Sequence, residues 1–341
     1  MRADIDGGPR PGVTFALAEW LGERVEHLVP PVRVERVGTG QSNLTSVISD
    51  AEGREWILRY PAGGRADVRR EARILRALAA TSVPVPAVVA EGRDAAGIEG
   101  GFLVMERMPG RPLEDEADAG RLSPPERRAV GDEAVELLAT LHALDPESVG
   151  LGDLGRRDGY LTRQLARSAA NWAAWGTESA ADAVWREGFD RLSRAVPTQQ
   201  RCVIVHGDYR LSNILVADGR LSSVLDWELC TLGDPLADLA WLVDDWRGPE
   251  DPSITIPSPT RVGGFADRAE IVADYAGRTG LNVEHLGYYR AFTHWRAATL
   301  LQGVAQRRRA GSLGVHGALD LLDLEHSIRY LLDGALHLVG G

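Results

Sequence analysis

The spacing of apolar residues between positions 32 and 106 predicts a small antiparallel sheet interrupted by one helix. Alternating apolar side chains predict strands that begin at Val32 and that span Leu44 to Ser49, Trp56 to Tyr60, Val88 to Glu91 and Phe102 to Glu106. Residues 68–80 place apolar side chains three or four positions apart, which is typical of an amphipathic helix. Glu71 lies within the apolar face of that helix, so its carboxylate needs a partner.

From about residue 123 the pattern becomes mainly helical. Ser123-Pro124-Pro125-Glu126 predicts a helix start, with Ser123 as the cap and Glu126 three residues later. This helix is expected to end near His142, and further helices are predicted at residues 160–175, 181–196, 234–245, 265–276, 283–308 and 319–337. Residues 248–264 are rich in Pro and Gly, and they predict a loop. The chain of 341 residues can bury a large core and is expected to hold two lobes.

The segment from Val203 to Glu228 carries the most distinctive polar residues. An apolar run at residues 202–205 predicts a buried strand that delivers His206-Gly207-Asp208 to a loop. Residues 214–216 and 221–225 then predict two strands joined at Asp218-Gly219, a strong two-residue turn signal. Pairing across that turn would put Asn213 and Asp226 roughly 7–8 Å apart on a diagonal of the ladder.

The order Asp208, Asn213, Asp226 suits phosphoryl transfer, which needs a carboxylate to orient a hydroxyl and oxygen ligands for a metal ion. His206-x-Asp208-x4-Asn213 has the spacing of a kinase catalytic loop. One metal ion could bridge Asn213 and Asp226, with Asp208 left to accept a proton. The alternative is that these are ordinary turn and strand-end residues.

Three further polar residues are predicted to support that loop. His206 is expected to brace it through hydrogen bonds, because no second His or Cys stands at metal-ligand spacing. Asp234 is expected to cap the helix that follows, and Asp238 to brace the loop by accepting backbone N–H groups. Trp172, Trp175 and Trp185 are predicted as core anchors of the helical region.

At these residues the chain resembles the aminoglycoside phosphotransferase superfamily, whose fold is similar to that of protein kinases. The resemblance covers residues 30–330 or so and is carried by HGDYRLSNILV, LDWE, GDPLADLAW, REARILRAL, FLVMERMPG, YAGRTG and YYRAFTHWRAATLLQGVAQR. The branch it resembles includes kinase-like domains fused to acyl-CoA dehydrogenases. The resemblance implies an α+β, two-lobed kinase-like fold, with a nucleotide-binding lobe at residues 1–107 and a catalytic and substrate-binding lobe at residues 108–341.

The resemblance also implies ATP-dependent phosphorylation of a small-molecule hydroxyl, with Mg²⁺ as the metal. Asp208 resembles the catalytic base, and Asn213 and Asp226 resemble the magnesium ligands. Arg59 stands where the family places its phosphate-holding cation, and Glu71 stands where kinases place the partner of that cation. The alternatives are a solvated strand Arg and a Glu that pairs within its own helix.

Two loops complete the implied nucleotide site. Gly40, Ser42 and Asn43 lie in a turn whose backbone N–H groups and hydroxyl could face phosphates, although a plain hairpin loop is as consistent with the sequence. Glu106 and Met108 stand at the implied hinge, where the Glu106 C=O and the Met108 N–H would bind adenine; a plain strand exit is the alternative.

Charge and composition narrow the class of protein. The net charge of −11 argues against nucleic acid as a partner. The N-terminus lacks the apolar core of a signal peptide, and no apolar run approaches the length of a membrane span, so a cytoplasmic location is expected. Two cysteines make no disulfide framework and are expected to be buried free thiols. The sequence contains no Lys, so every basic side chain that could hold phosphate is Arg.

The sequence leaves the acceptor, the choice between ATP and GTP, and the oligomeric state open. A hydroxylated antibiotic and a metabolite such as a hydroxyacyl-CoA are both candidate acceptors. Overall acidity would suit a cationic acceptor, whereas Arg307, Arg308 and Arg309 at a helix end would suit an anionic one or simply complement the helix dipole. A nucleotide-binding pseudokinase scaffold is the alternative of another class, supported only by Arg in place of Lys at position 59.

Overall fold

The computed structural model describes residues 11–37, 43–61, 68–175, 181–311 and 320–340. Within these residues the chain forms two compact units. The first unit ends at Pro109 and also contains Ser222–Glu228, and the second contains Gly110–Leu221 and the chain from Leu229 onward. The assignment of a nucleotide-binding function to residues 1–107 and a catalytic function to residues 108–341 stays a prediction.

A five-stranded antiparallel sheet with strand order β1-β2-β3-β5-β4 forms the first unit together with two helices. The strands are β1 Arg33–Val37, β2 Asn43–Ser49, β3 Glu55–Pro61, β4 Val88–Ala95 and β5 Ile98–Glu106, and the helices are α1 Pro11–Gly22 and α2 Val68–Leu78. All five predicted strands and the predicted amphipathic helix are therefore confirmed. β4 is longer than expected, because it continues past Glu91 to pair with β5.

Helix α1 was not predicted from the sequence. Its Leu17 and Leu21 are fully buried in the core of the first unit, and Trp20 contacts Phe102 of β5 edge-on with ring centroids 4.9 Å apart. Apolar residues occur at many positions of this short segment, so they mark no single face, and its helical state depends on packing against the sheet.

The second unit is mainly helical. Its helices are α3 Glu116–Ala119, α4 Pro124–Ala143, α5 Tyr160–Ala174, α6 Ala181–Arg194, α7 Pro235–Asp245, α8 Arg268–Thr279, α9 Leu286–Arg309 and α10 Leu321–Gly340. The predicted capping box is present, because the Ser123 N–H donates to Glu126 Oε2 at 2.7 Å. The Pro- and Gly-rich segment forms the predicted loop, with one 3₁₀ turn at Pro259–Val262.

Stacked tryptophans anchor the helical core. The rings of Trp172 on α5 and Trp185 on α6 stack with centroids 4.8 Å apart, and Trp185 lies 4.7 Å from Trp295 of α9. All three side chains are buried, whereas Trp175 is only half-buried. The predicted core role is confirmed for Trp172 and Trp185.

Short strands lie between these helices: β6 Arg111–Pro112, β7 Val203–Val205, β8 Ile214–Ala217, β9 Arg220–Val224 and β10 Thr231–Gly233. The turn between β8 and β9 has positive φ at both Asp218 (49°) and Gly219 (73°), which a type I′ hairpin turn requires. The predicted turn is confirmed. Strand β10, which pairs with β7, was not predicted.

The predicted placement of Asn213 and Asp226 on the ladder of this hairpin was wrong. Asn213 ends a 3₁₀ turn, Leu211–Asn213, and its backbone N–H donates to the Arg210 carbonyl at 2.9 Å. Asp226 lies beyond the end of β9 and has a φ of +63°. Because neither residue is in a strand, strand geometry does not set their separation.

Candidate active site

Strand β7 delivers a tightly held loop to the second unit's candidate site. The three strand residues are buried, and the next two backbone N–H groups bind the carboxylate of Asp238 on α7. The His206 N–H donates to Oδ2 at 2.6 Å and the Gly207 N–H to Oδ1 at 2.9 Å. Gly207 has a φ of +85°, and a Cβ there would lie 2.9 Å from the carbonyl oxygen of Leu229, so the loop requires glycine.

The imidazole of His206 is fully buried and supports the loop from within. Its Nδ1 accepts the backbone N–H of Asp208 at 3.2 Å. The predicted bracing role of His206 is confirmed, since the ring fixes the residue that carries the candidate base.

Both carboxylate oxygens of Asp208 accept side-chain hydrogen bonds. Trp241 Nε1 donates to Oδ1 at 2.6 Å, and Asn213 Nδ2 donates to Oδ2 at 2.8 Å and to the Asp208 carbonyl at 2.9 Å. The structure therefore brings Asp208 and Asn213 together, as the sequence predicted. The amide nitrogen of Asn213 is committed to Asp208, so its oxygen is the atom left to bind another group.

Trp241 was not predicted to take part in the site. It lies on α7, 33 positions after Asp208, at the end of the GDPLADLAW segment that carries part of the family resemblance. The guanidinium of Arg296 on α9 stacks 5.0 Å from the Trp241 ring, and its Nη1 donates to the Gly207 carbonyl at 3.2 Å. Arg296 thus ties the indole and the loop to the same helix.

Asp238 anchors this arrangement from the interior. His142 Nε2 lies 3.4 Å from Asp238 Oδ2, and His142 Nδ1 lies 2.6 Å from the Tyr275 hydroxyl. Burial acts to raise the pKa of Asp238, but the bonds and positive potential from His142, His206 and the Gly207 N–H outweigh it, and the pKa is lowered. The predicted bracing role of Asp238 is confirmed.

Asp234 begins helix α7 as the predicted cap. Its Oδ1 accepts the Leu236 N–H at 3.1 Å, and its Oδ2 accepts the Tyr289 hydroxyl at 2.7 Å. Burial raises the pKa of this carboxyl group. The cap fixes the start of the helix that carries both Asp238 and Trp241.

In the first unit, Arg59 on β3 connects three carboxylates. Its Nη1 donates to Glu71 Oε1 at 2.8 Å, and its Nη2 donates to Asp226 Oδ1 at 2.5 Å and lies 3.5 Å from Glu228 Oε2. The expected pairing of Arg59 with Glu71 is confirmed. The contacts with Asp226 and Glu228 were not predicted, because these residues stand more than 160 positions away along the chain.

Burial and like charges shape the acidity of this cluster. Only 4% of the Glu71 side chain is exposed, and burial, opposed by Arg59 and reinforced by Asp226 and Glu228, raises its pKa to about 7. Burial acts to lower the pKa of Arg59, but attraction to Glu71 and Asp226 outweighs it, and the pKa is raised. Arg59 is therefore a permanent cation beside a carboxyl group that titrates near neutrality.

The remaining predicted nucleotide contacts are placed only in part. Gly40 and Ser42 lie outside the described residues, and Asn43 is the first residue of β2 with its side chain also outside that description. Glu106 ends β5 and is exposed, and Met108 follows in a half-buried loop position. Their roles stay predictions.

Each unit contains oxygen donors with the chemistry that a hard cation requires. The Asn213 amide oxygen and the Asp226 and Glu228 carboxylates are donors of the kind that magnesium binds. Across the described ranges, no three His, Cys, Asp or Glu side chains are grouped as a metal site of their own. Phosphate oxygens of a nucleotide are ligands of the same kind.

None of the helices in the described part of the chain combines the length and apolar character of a membrane span.

Both cysteines are free thiols; Cys230 is buried and Cys202 is partly exposed.

Comparisons with known proteins agree with this architecture. The model of the phosphotransferase enzyme family (APH) matches residues 33–281. A crystal structure from Ralstonia eutropha JMP134, described as a candidate aminoglycoside phosphotransferase, is 31% identical with a TM-score of 0.79 and covers 96% of this chain and 98% of that one. A thermostable mutant of aminoglycoside phosphotransferase APH(4)-Ia, solved with ADP and hygromycin B, shares the fold at 16% identity, with a TM-score of 0.64 over 95% and 98% of the two chains.

A relative from Mus musculus, acyl-CoA dehydrogenase family member 10, is 31% identical over 303 residues. The match covers 84% of this chain but only 27% of the mouse protein. These matches confirm the predicted kinase-like α+β fold and the predicted resemblance. The chain belongs to the phosphotransferase enzyme family (APH).

Proposed function

We propose that this chain is an ATP- and magnesium-dependent phosphotransferase that moves the γ-phosphoryl group to a hydroxyl of a small molecule. Family membership supports phosphoryl transfer, and the related APH(4)-Ia structure contains ADP and the small molecule hygromycin B. The observation that carries the proposal is the Asp208 carboxylate, held by Asn213 and Trp241 on a loop anchored to Asp238. A carboxylate fixed in this way can orient a hydroxyl.

The chemistry follows the requirements of phosphoryl transfer. Asp208 accepts the proton of the acceptor hydroxyl while a bond forms between the acceptor oxygen and the γ-phosphorus. The bond from that phosphorus to the bridging oxygen breaks, and ADP leaves with the electron pair. Asn213 and Asp226 would hold magnesium, which neutralises negative charge on the phosphate oxygens when bound.

Arg59 would supply the remaining positive charge. Its planar guanidinium can keep Glu71 on one edge while the edge now facing Asp226 turns to the α- and β-phosphates. Gly40, Ser42 and Asn43 would contribute to the phosphate loop, and Glu106 and Met108 would bind the base through their backbone groups. GTP in place of ATP would use the same phosphate contacts.

The second candidate function is a nucleotide-binding scaffold without transfer. The observation that favours it is the 2.5 Å contact between Arg59 and Asp226, because that contact occupies one of the two carboxylate oxygens that could bind a metal ion. Phosphoryl transfer to a hydroxylated metabolite, such as a hydroxyacyl-CoA, or to an antibiotic would support the enzyme instead.

Replacement of Asp208 by Asn tests the enzyme directly. The amide keeps the size of the side chain but accepts no proton, so we expect ADP release with a hydroxylated-compound panel to fall about 10²–10⁴-fold. Nucleotide affinity, measured by calorimetry, should stay within about threefold. Asp190→Asn, an exposed position on α6, makes the same charge change and should leave turnover intact.

Two results would refute the proposal. Turnover that survives in Asp208→Asn would exclude Asp208 as the base. Nucleotide binding by the unmodified chain without transfer to any hydroxylated compound would favour the scaffold.

A further inference from the structure

A cavity of about 120 Å³ lies within the second unit, between helices α7, α9 and α10 and the loop that follows α7. A water molecule takes about 30 Å³ of liquid volume, so this space suits a compact polar group with a few neighbouring atoms. Its wall combines apolar side chains, such as Ile256 and Leu331, with an unusual density of charged ones.

The charged side chains on the wall do not balance. Four arginines and three aspartates line the cavity, and three ion pairs join Arg210 to Asp245 at 2.9 Å, Arg268 to Asp251 at 2.9 Å and Arg290 to Asp244 at 2.7 Å. Arg247 is the fourth arginine, and it has no ion pair among the described residues. The wall therefore carries one positive charge in excess, although the chain as a whole carries −11.

Arg247 is buried, with only 5% of its surface exposed. Its Nη2 donates to the Ile256 carbonyl, while its Nε has no hydrogen-bond partner in the described part of the chain. Burial lowers its pKa, since Asp245 only partly offsets the loss of water around the guanidinium. A buried cation without an ion-pair partner is costly, and an anion in the cavity would reduce that cost.

One side chain on the cavity wall contacts the candidate base. Trp241 lines the wall, and its Nε1 is the atom that donates to Asp208 Oδ1 at 2.6 Å. Arg210, on the wall as well, stands two residues after Asp208. A ligand held by Arg247 and lying along Trp241 would thus extend toward the Asp208 carboxylate.

We propose that this cavity binds the anionic group, a carboxylate or a phosphate, of a hydroxylated acceptor. Arg247 supplies the counter-charge, and Trp241 is the wall along which the acceptor directs its hydroxyl to Asp208. The inference rests on the proposed phosphotransferase function and names the class of its acceptor. A polycationic acceptor would instead meet the excess positive charge of the cavity.

A matched set of probes tests the charge preference without catalysis. We would titrate the protein, in low salt and without nucleotide, with 3-hydroxybutanoate, the neutral 3-hydroxybutanamide and the cationic 4-amino-2-butanol, using ligand-observed NMR. Glycerol 3-phosphate and glycerol form a second pair, which shows whether phosphate or carboxylate is preferred. We expect at least one anion to bind about tenfold more tightly than its neutral counterpart. Equal binding within both pairs, or tighter binding of the amine, would overturn the proposal.

Variants locate that preference in the protein. Arg247→Gln should lower anion binding to the level of the neutral probe, whereas Arg247→Lys should retain part of it. Arg186→Gln, at an exposed position on α6, makes the same charge change as Arg247→Gln and should have no effect. Unchanged anion binding in a folded Arg247→Gln protein would overturn the assignment. If that variant unfolds, the probe series on the unmodified protein decides alone.

Failure of this inference can be told apart from failure of the proposed function. Selective binding of an anion with no ADP release from any acceptor would leave the cavity assignment standing and refute the enzyme. ADP release with the cationic acceptor alone would support the enzyme and refute the cavity assignment.

Discussion

Two buried carboxyl groups, Glu71 in the first unit and Asp238 in the second, have pKa values that are shifted in opposite directions. Glu71 shares one cation with two other carboxylates, and its pKa rises to about 7. Asp238 faces two backbone N–H groups and a histidine, and its pKa falls. Burial acts in the same direction on both, so the neighbouring groups decide the sign.

The contrast distinguishes two sites. The charge-based site is the cluster of Arg59 and its carboxylates, and the hydrogen-bonded site is the Asp208 loop. The Arg59 cluster depends on a shared cation, and that cation can rearrange when phosphates bring further negative charge. The Asp208 loop depends on directed N–H donors, which hold one geometry with or without ligand. We therefore expect nucleotide binding to alter the first site and to leave the second nearly unchanged.

The largest expected effect comes from removing the anchor of the hydrogen-bonded site. Asp238→Asn replaces a double acceptor by a group that accepts at only one end, so one buried N–H loses its partner. We expect a loss of about 2–4 kcal/mol in the free energy of unfolding, measured with urea. Asp190→Asn on the exposed side of α6 should change it by less than about 0.5 kcal/mol. Equal losses in the two variants would show that Asp238 does not anchor the loop.

The next effect concerns the pH dependence of the charge-based site. Glu71 has a folded pKa of about 7, above its ordinary 4.5, so the folded protein keeps a proton that the unfolded chain has lost. Its contribution to stability therefore falls as pH rises between these values and is constant above them. Glu71→Gln mimics the protonated form. On going from pH 5 to pH 8, the free energy of unfolding of the variant should rise by about 1–3 kcal/mol relative to that of the unmodified protein.

Urea unfolding at the two pH values checks this expectation, with Glu187→Gln on the exposed face of α6 as the charge-matched control. A relative gain in the control as large as that in Glu71→Gln would assign the effect to net charge.

For Asp238, whose folded pKa lies below 3.8, stability is instead lost as pH falls through that folded value.

The smallest expected effect concerns orientation of the candidate base. Trp241→Phe keeps an aromatic ring under Arg296 but removes the N–H that binds Asp208 Oδ1. We expect kcat for ADP release to fall about tenfold, equivalent to about 1.4 kcal/mol, with nucleotide affinity unchanged. Trp185→Phe, which removes an indole N–H bonded to Thr299 in the helical core, should leave kcat unchanged. Similar kcat losses in both variants would indicate general destabilisation.

Features with a local signal were predictable from the sequence. The capping box at Ser123, the turn at Asp218-Gly219 and the cap at Asp234 each depend on residues within a few positions of one another. The position of Glu71 on an apolar helix face indicated that its carboxylate needs a partner, and the family resemblance identified that partner as Arg59.

Several contacts between distant parts of the chain were not predicted. Trp241 reaches Asp208 only because α7 packs beside the loop, and Asp226 reaches Arg59 across 167 positions. The 3₁₀ turn that ends at Asn213, directly before β8, was not expected, and the Asn213 side chain binds Asp208. The excess charge of the cavity emerges only when Arg210 in the loop after β7 is counted together with residues from α7, the loop that follows it, α8 and α9.

The guanidinium of Arg59 has a consequence for chemical surveys of nucleotide-binding proteins. Acylating nucleotide probes label such proteins through a lysine ε-amine next to the bound phosphates. This chain contains no Lys, and a guanidinium stays protonated and unreactive toward acyl groups at neutral pH. Such a probe would find no lysine to label even if the proposed nucleotide site were full, so the absence of lysine labelling carries no information about occupancy.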